Sequence, residues 1–189
     1  GDSIFTFEKA HQWRITQIYS YASENPEWFQ ISTEIENLSP KLVPVDYVIS
    51  LMSNNISYKI PFERYLSEAQ LTWNYTGLWY KPVQRESYSF AGFSDPEGEA
   101  AMVIGFDDMS DAVYTLDVDM GEKKINSITA KCHREGVNIP PNEKLRISDL
   151  VIKPAKSLTE TLKEYGWIVA ENMGRSEADV VHGWCSWYY

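Results

Sequence analysis

The sequence predicts a mainly β protein, an antiparallel β-sandwich followed by one helix. Three observations predict it. Residues 28–36 and 114–120 alternate apolar and polar side chains, the signature of strands with one buried and one wet face. Residues 100–106 form an unbroken apolar run, as in a strand covered on both faces. Only one segment, opened by Ser157-Leu158-Thr159-Glu160, repeats its apolar residues every three or four positions.

The elements follow in order. Residues 14–20 alternate loosely. Phe29, Ile31, Thr33 and Ile35 then share one face, with Gln30, Ser32 and Glu34 on the other. Asn25-Pro26 is the turn before this strand, and residues 37–40 are the turn after it. Val45, Tyr47, Ile49 and Leu51 alternate against Asp46 and Ser50, which predicts another strand with those four on one face. Residues 62–66 fit a strand or a short helical turn. Residues 70–80 gather Trp73, Tyr75, Trp79 and Tyr80 around Asn74 and Gly77, and read as a loop or strand end with exposed rings.

Tyr114, Leu116, Val118 and Met120 alternate against Thr115, Asp117 and Asp119. Residues 121–124 then supply a hairpin connection into the apolar run 125–132, an antiparallel meander. Pro140-Pro141-Asn142-Glu143 is a rigid turn. Leu145 and Ile147 are out of phase with Leu150 and Ile152, and a bulge near Ser148-Asp149 would restore the register. Lys153-Pro154 ends the sandwich. In the helix, Ser157 caps the first turn with Glu160 reaching back, Leu158, Leu162, Tyr165, Val169 and Met173 form the apolar stripe, and Gly174 is the stop.

A chain of 189 residues can bury one sizeable core. Its formal charge of −10 argues against nucleic acid as a partner and against an anionic membrane surface. Aromatic residues make up 14%, including 7 Trp and 12 Tyr, which suits both a β core and a sugar-stacking surface. Cys132 and Cys185 form no metal-ligand spacing with His11, His133 or His182, and no cofactor is expected. Asp107, Asp108, Asp111, Asp117 and Asp119 lack the spacing of a calcium loop, and Asp117 with Asp119 reads as a solvated strand face. Asn37, Asn55 and Asn74 each begin a glycosylation sequon, a pattern common by chance.

The last eight residues, 182–189, are an aromatic run with the composition of a buried strand, which suggests that its core lies beyond Tyr189. Within it, Gly183-Trp184-Cys185-Ser186-Trp187-Tyr188 resembles the opening strand of the catalytic barrel in the α-galactosidases and raffinose-synthase-like enzymes, the melibiase group of glycoside hydrolase family thirty-six. The resemblance implies an N-terminal sandwich of the supersandwich type over residues 1–154, a linker helix and connector over 155–181, and the start of a truncated (β/α)8 barrel at 182–189. It implies a retaining glycoside hydrolase whose aspartate nucleophile and aspartate acid/base come from later barrel strands, so that this chain alone hydrolyses nothing.

The same resemblance places Trp187, with Tyr188 beside it, in the galactose site, and turns Trp184 towards the barrel core. In that family a tryptophan-bearing segment of the sandwich closes one side of the sugar pocket. Trp73 and Trp79 hold a comparable place in chain order, although the local motif departs from the family's pattern. The implied partners are an α-galactoside-like carbohydrate and the chain's own barrel. Two other readings remain open: a stand-alone carbohydrate-binding sandwich using Trp73, Tyr75 and Trp79, and a structural domain that forms a homo-oligomer.

Overall fold

The computed structural model describes residues 2–9, 12–21, 27–56, 62–69, 76–122 and 124–175. In chain order the strands are β1 (Ser3–Lys9), β2 (Trp13–Tyr21), β3 (Phe29–Asn37), β4 (Val43–Ile56), β5 (Arg64–Ser67), β6 (Gly77–Tyr80), β7 (Val83–Tyr88), β8 (Phe90–Ser94), β9 (Ala101–Phe106), β10 (Val113–Met120), β11 (Ile125–Ile139) and β12 (Lys144–Ala155). One helix, α1 (Leu158–Asn172), follows. The strands form an eight-stranded sheet in the order β1-β2-β3-β12-β9-β8-β5-β6 and a four-stranded sheet in the order β4-β11-β10-β7. Every strand pair is antiparallel.

The main core lies between the sheets. Ile31, Ile147, Leu150, Ile104 and Phe93 from the large sheet meet Val48, Ile128, Leu116 and Val118 from the small one. A second, smaller core lies on the other side of the large sheet, where Trp28, Val103 and Val151 pack against Tyr165 of α1. Residues of β9 therefore alternate between two buried environments, and every one of them is buried. This is the physical basis of the unbroken apolar run.

Eight strands cannot be covered by four. The four-stranded sheet leaves β1 bare: all seven of its residues are exposed, including Phe5 and Phe7. β1 is also an edge strand, held through β2 alone.

Most local expectations agree with the structure. Ile31, Thr33 and Ile35 are buried on β3, the β10–β11 hairpin closes through the Gly121 amide donating to the Lys124 carbonyl, and the register of β12 against β3 shifts between Ile147 and Leu150. Residues 64–67 resolve the strand-or-helix alternative as β5. Two expectations need correction. On β4, Val45, Val48 and Ser50 point inward, whereas Tyr47 is exposed. Two register shifts against β11 cause this, because each exchanges the faces of the strand. At α1, the Ser157 hydroxyl accepts the Glu160 amide at 3.3 Å as expected, but the Glu160 carboxylate accepts from Lys163 at 2.9 Å instead of reaching back. Gly174, at φ +62°, ends the helix.

Candidate functional site

Trp79 lies on β6, the edge strand of the large sheet opposite β1. Its partner across the ladder is the fully buried Tyr65, so the indole points towards the space between the sheets. There it packs against the main core while half-buried. The indole N–H donates to Ser67 Oγ at 2.8 Å, and the Arg85 guanidinium from β7 sits 3.5 Å from the ring centroid. Trp79 and Arg85 thereby join the edge strands of the two sheets. Leu78 and Tyr80 alternate to the opposite face and are exposed.

Further hollows lie away from this edge. The first, about 520 Å³, is lined by aromatic rings of β1, β2 and β3: Phe5, Phe7, Tyr19, Tyr21 and Phe29, with Ser3 and Ser20. It is the bare inner face of the large sheet beyond the reach of the small one. Phe5 meets Tyr19 edge-on with centroids 5.2 Å apart, and Tyr21 meets Phe29 at 5.9 Å.

The second hollow, about 480 Å³, is polar and lined by Asp107, Asp108, Asp111, Arg146, Ile147, Ser148, Asp149 and Asn172. Burial, foremost, and then the neighbouring Asp149 charge push the Asp107 carboxyl up to about 7. A carboxyl of this kind in a hollow is what an acid catalyst requires. The hydrogen bonds give it a structural task instead. Asp107 Oδ1 accepts the Asp149 amide and Oδ2 accepts the Asn172 side chain, both at 2.9 Å. Asp149 accepts from Gln30 and, at 3.1 Å, from Arg146.

Of the residues singled out from the sequence for a site, only Trp79 falls among the described residues. Trp73, Trp187 and Tyr188, with the whole terminal run 182–189, lie outside them. Asp117 forms an ion pair with Lys131 across the hairpin, and Asp119 accepts from Asn126 at 3.2 Å. Among the described residues no group of three or more His, Cys, Asp or Glu is placed to hold a metal ion. No described helix is long and apolar enough to cross a membrane. The Asp107–Asp149 pair escaped the sequence reading because Asp107 lies in the turn after β9 and Asp149 on β12, far apart in the chain. The one local signal was the phase slip at Ser148-Asp149, which marks where β12 bulges.

No protein-family model matches the chain, and no curated protein matches it. Solved structures do. A GH36 α-galactosidase of Geobacillus stearothermophilus in complex with stachyose matches with a TM-score of 0.59 at 9% identity, over 87% of this chain and 26% of that one. The α-galactosidase of Lactobacillus brevis matches with a TM-score of 0.62 at 11% identity, over 90% of this chain and 25% of that one. A candidate aldose 1-epimerase of Klebsiella pneumoniae matches with a TM-score of 0.54 at 13% identity, over 97% of this chain and 58% of that one. The chain thus spans about a quarter of the length of the α-galactosidases it matches. At these identities, what is shared is the fold: a sandwich of two antiparallel sheets with its following helix.

Proposed function

We propose that this chain is the N-terminal sandwich of an α-galactosidase-like retaining glycoside hydrolase, that it supports the catalytic barrel, and that it contributes one wall of the sugar pocket without supplying the reacting carboxylates. The observation that carries this reading is a fold shared over 87–90% of the chain with two α-galactosidases. It agrees with the independent sequence resemblance at residues 183–188. On this reading residues 1–154 are the sandwich, 155–181 the linker helix and connector, and 182–189 the first barrel strand.

Trp187 and Tyr188 would then face the sugar from the barrel side, and Trp73 from the sandwich side. Trp79 serves as the brace that holds edge strand β6, since its N–H and one ring face are already engaged by Ser67 and Arg85. An indole against the apolar face of a pyranose contributes on the order of 1 kcal/mol, with polar groups left to set specificity. The carbohydrate partner and the chain's own barrel belong to this proposal together.

The test is hydrolysis of an aryl α-galactoside by the 189-residue chain and by the longer protein this reading requires. Turnover confined to the longer protein supports the reading. Turnover by the short chain overturns the non-catalytic assignment and directs attention to Asp107 and Asp149. Absence of turnover in both removes the α-galactoside assignment and leaves the fold unchanged.

A further inference from the structure

The surplus of strands in the large sheet is concentrated at one corner. Gln17 of β2 points inward, and its side-chain amide donates at 2.8 Å to the Ser50 carbonyl of β4, the free edge strand of the small sheet. The small sheet therefore ends above β2. Beyond that line the inner face of the large sheet becomes the aromatic trench of Phe5, Phe7, Tyr19, Tyr21 and Phe29. Phe5, Phe7 and Tyr21 stay more than half exposed there.

Three features select an occupant for this trench. The first is charge. The chain carries a formal −10, yet no described residue lining the trench is charged, so two acidic copies repel least along this face. The second is shape. Packed sheets lie about 10 Å apart, so the space beside β4 admits one further layer of strands with an apolar face. Strands β1 and β2 of another copy are such a layer. β1 pairs with β2 without interruption from Ser3 to Lys9, has no proline, and carries its charges, Glu8 and Lys9, at one end. It thus lacks the bulges, prolines and central charges that keep edge strands apart. The third is size. Three half-exposed rings offer about 100–150 Å² each, and with Tyr19 and Phe29 about 500 Å² per copy. A pair buries about 1,000 Å² in all, the low end of specific interfaces.

We propose that a second copy of this chain covers the trench, the two copies facing each other about a two-fold axis. Each places its β1 and β2 in the layer that the other's small sheet does not reach, beside the free edge of β4. The contact is the same patch on both copies, so it closes at the dimer. Its modest area makes the dimer weak and dependent on concentration, and salt strengthens it by screening the acidic surfaces. The pairing concerns the sandwich alone and stands whether or not the carbohydrate reading does.

Sedimentation equilibrium of the intact chain between about 10 μM and about 1 mM tests it. The expected result is a mean mass that climbs from one chain towards two, and climbs earlier in added salt. Phe7→Glu, at an exposed position, sets a carboxylate in each trench and should weaken the association by at least about tenfold. Tyr80→Glu, on the exposed face of the opposite edge strand β6, should leave it unchanged. Hydrogen exchange of the parent chain supplies a readout that needs no variant: protection of residues 3–9 rises with protein concentration while that of β6 stays level. A chain that remains monomeric to about 1 mM overturns the proposal, as does a dimer that Phe7→Glu leaves intact. Protection of β1 that ignores concentration means that the chain covers its own trench, and protection that follows added stachyose instead means that a sugar does; either overturns it. If Phe7→Glu fails to fold by circular dichroism, the concentration dependence of β1 exchange decides.

Discussion

Asn37 is fully buried and uses its whole amide. Its Nδ2 donates to the carbonyls of Lys41 at 2.7 Å and Ile139 at 2.8 Å, and its Oδ1 accepts the Ser39 amide and hydroxyl, both at 2.8 Å. It pins the β3–β4 turn to the end of β11. Asn37→Ala strips two carbonyls of a donor and should cost about 2–3 kcal/mol, read as a lower urea midpoint with an unchanged slope. The same burial takes the first sequon out of solvent in the folded chain. From the sequence, Asn37 was legible as the start of a turn, because Asn favours turns on local grounds. Its partner Ile139 is remote in the chain, and no local pattern points to it. Asp107 and Asp149 were hidden for the same reason, and only the fold brings their carboxyls into one hollow.

At the scale of elements, α1 shows how a helix is seated. Its stripe lies over β8 and β9 at the two positions where those strands carry glycine. A Cβ at Gly92 would stand 2.9 Å from Leu158 Cδ1, and one at Gly105 would stand 2.6 Å from the Tyr165 hydroxyl and 2.7 Å from Phe90 Cβ. Gly105→Ala should therefore overpack the second core and cost about 1–3 kcal/mol, with loss of protection in α1 before β9 as the distinguishing readout. α1 was legible because its cap and its period agree. β4 was legible as a strand but not in its facing, since two bulges reverse its phase and alternation alone assumes none. β5, four residues long, is too short for any period to declare itself.

At the scale of the molecule, the mismatch between eight strands and four decides which parts matter to stability. β1 is exposed along its whole length and pairs only with β2. A chain lacking residues 1–9 should keep its near-ultraviolet circular dichroism and lose less stability than Asn37→Ala, a comparison that one urea series makes. The sandwich class was legible in the alternating runs, whereas the assignment of strands to sheets was not. It depends on β3 finding β12 and β5 finding β8, and pairings of such long range leave no trace in local periodicity. The glycine recess carries a last consequence. The hollowed ground under α1 belongs to the sheet, so the sheet sets the heading on which the backbone departs. Repainting the outward side of α1, Trp167 included, would leave that compass bearing untouched; filling either glycine would turn it.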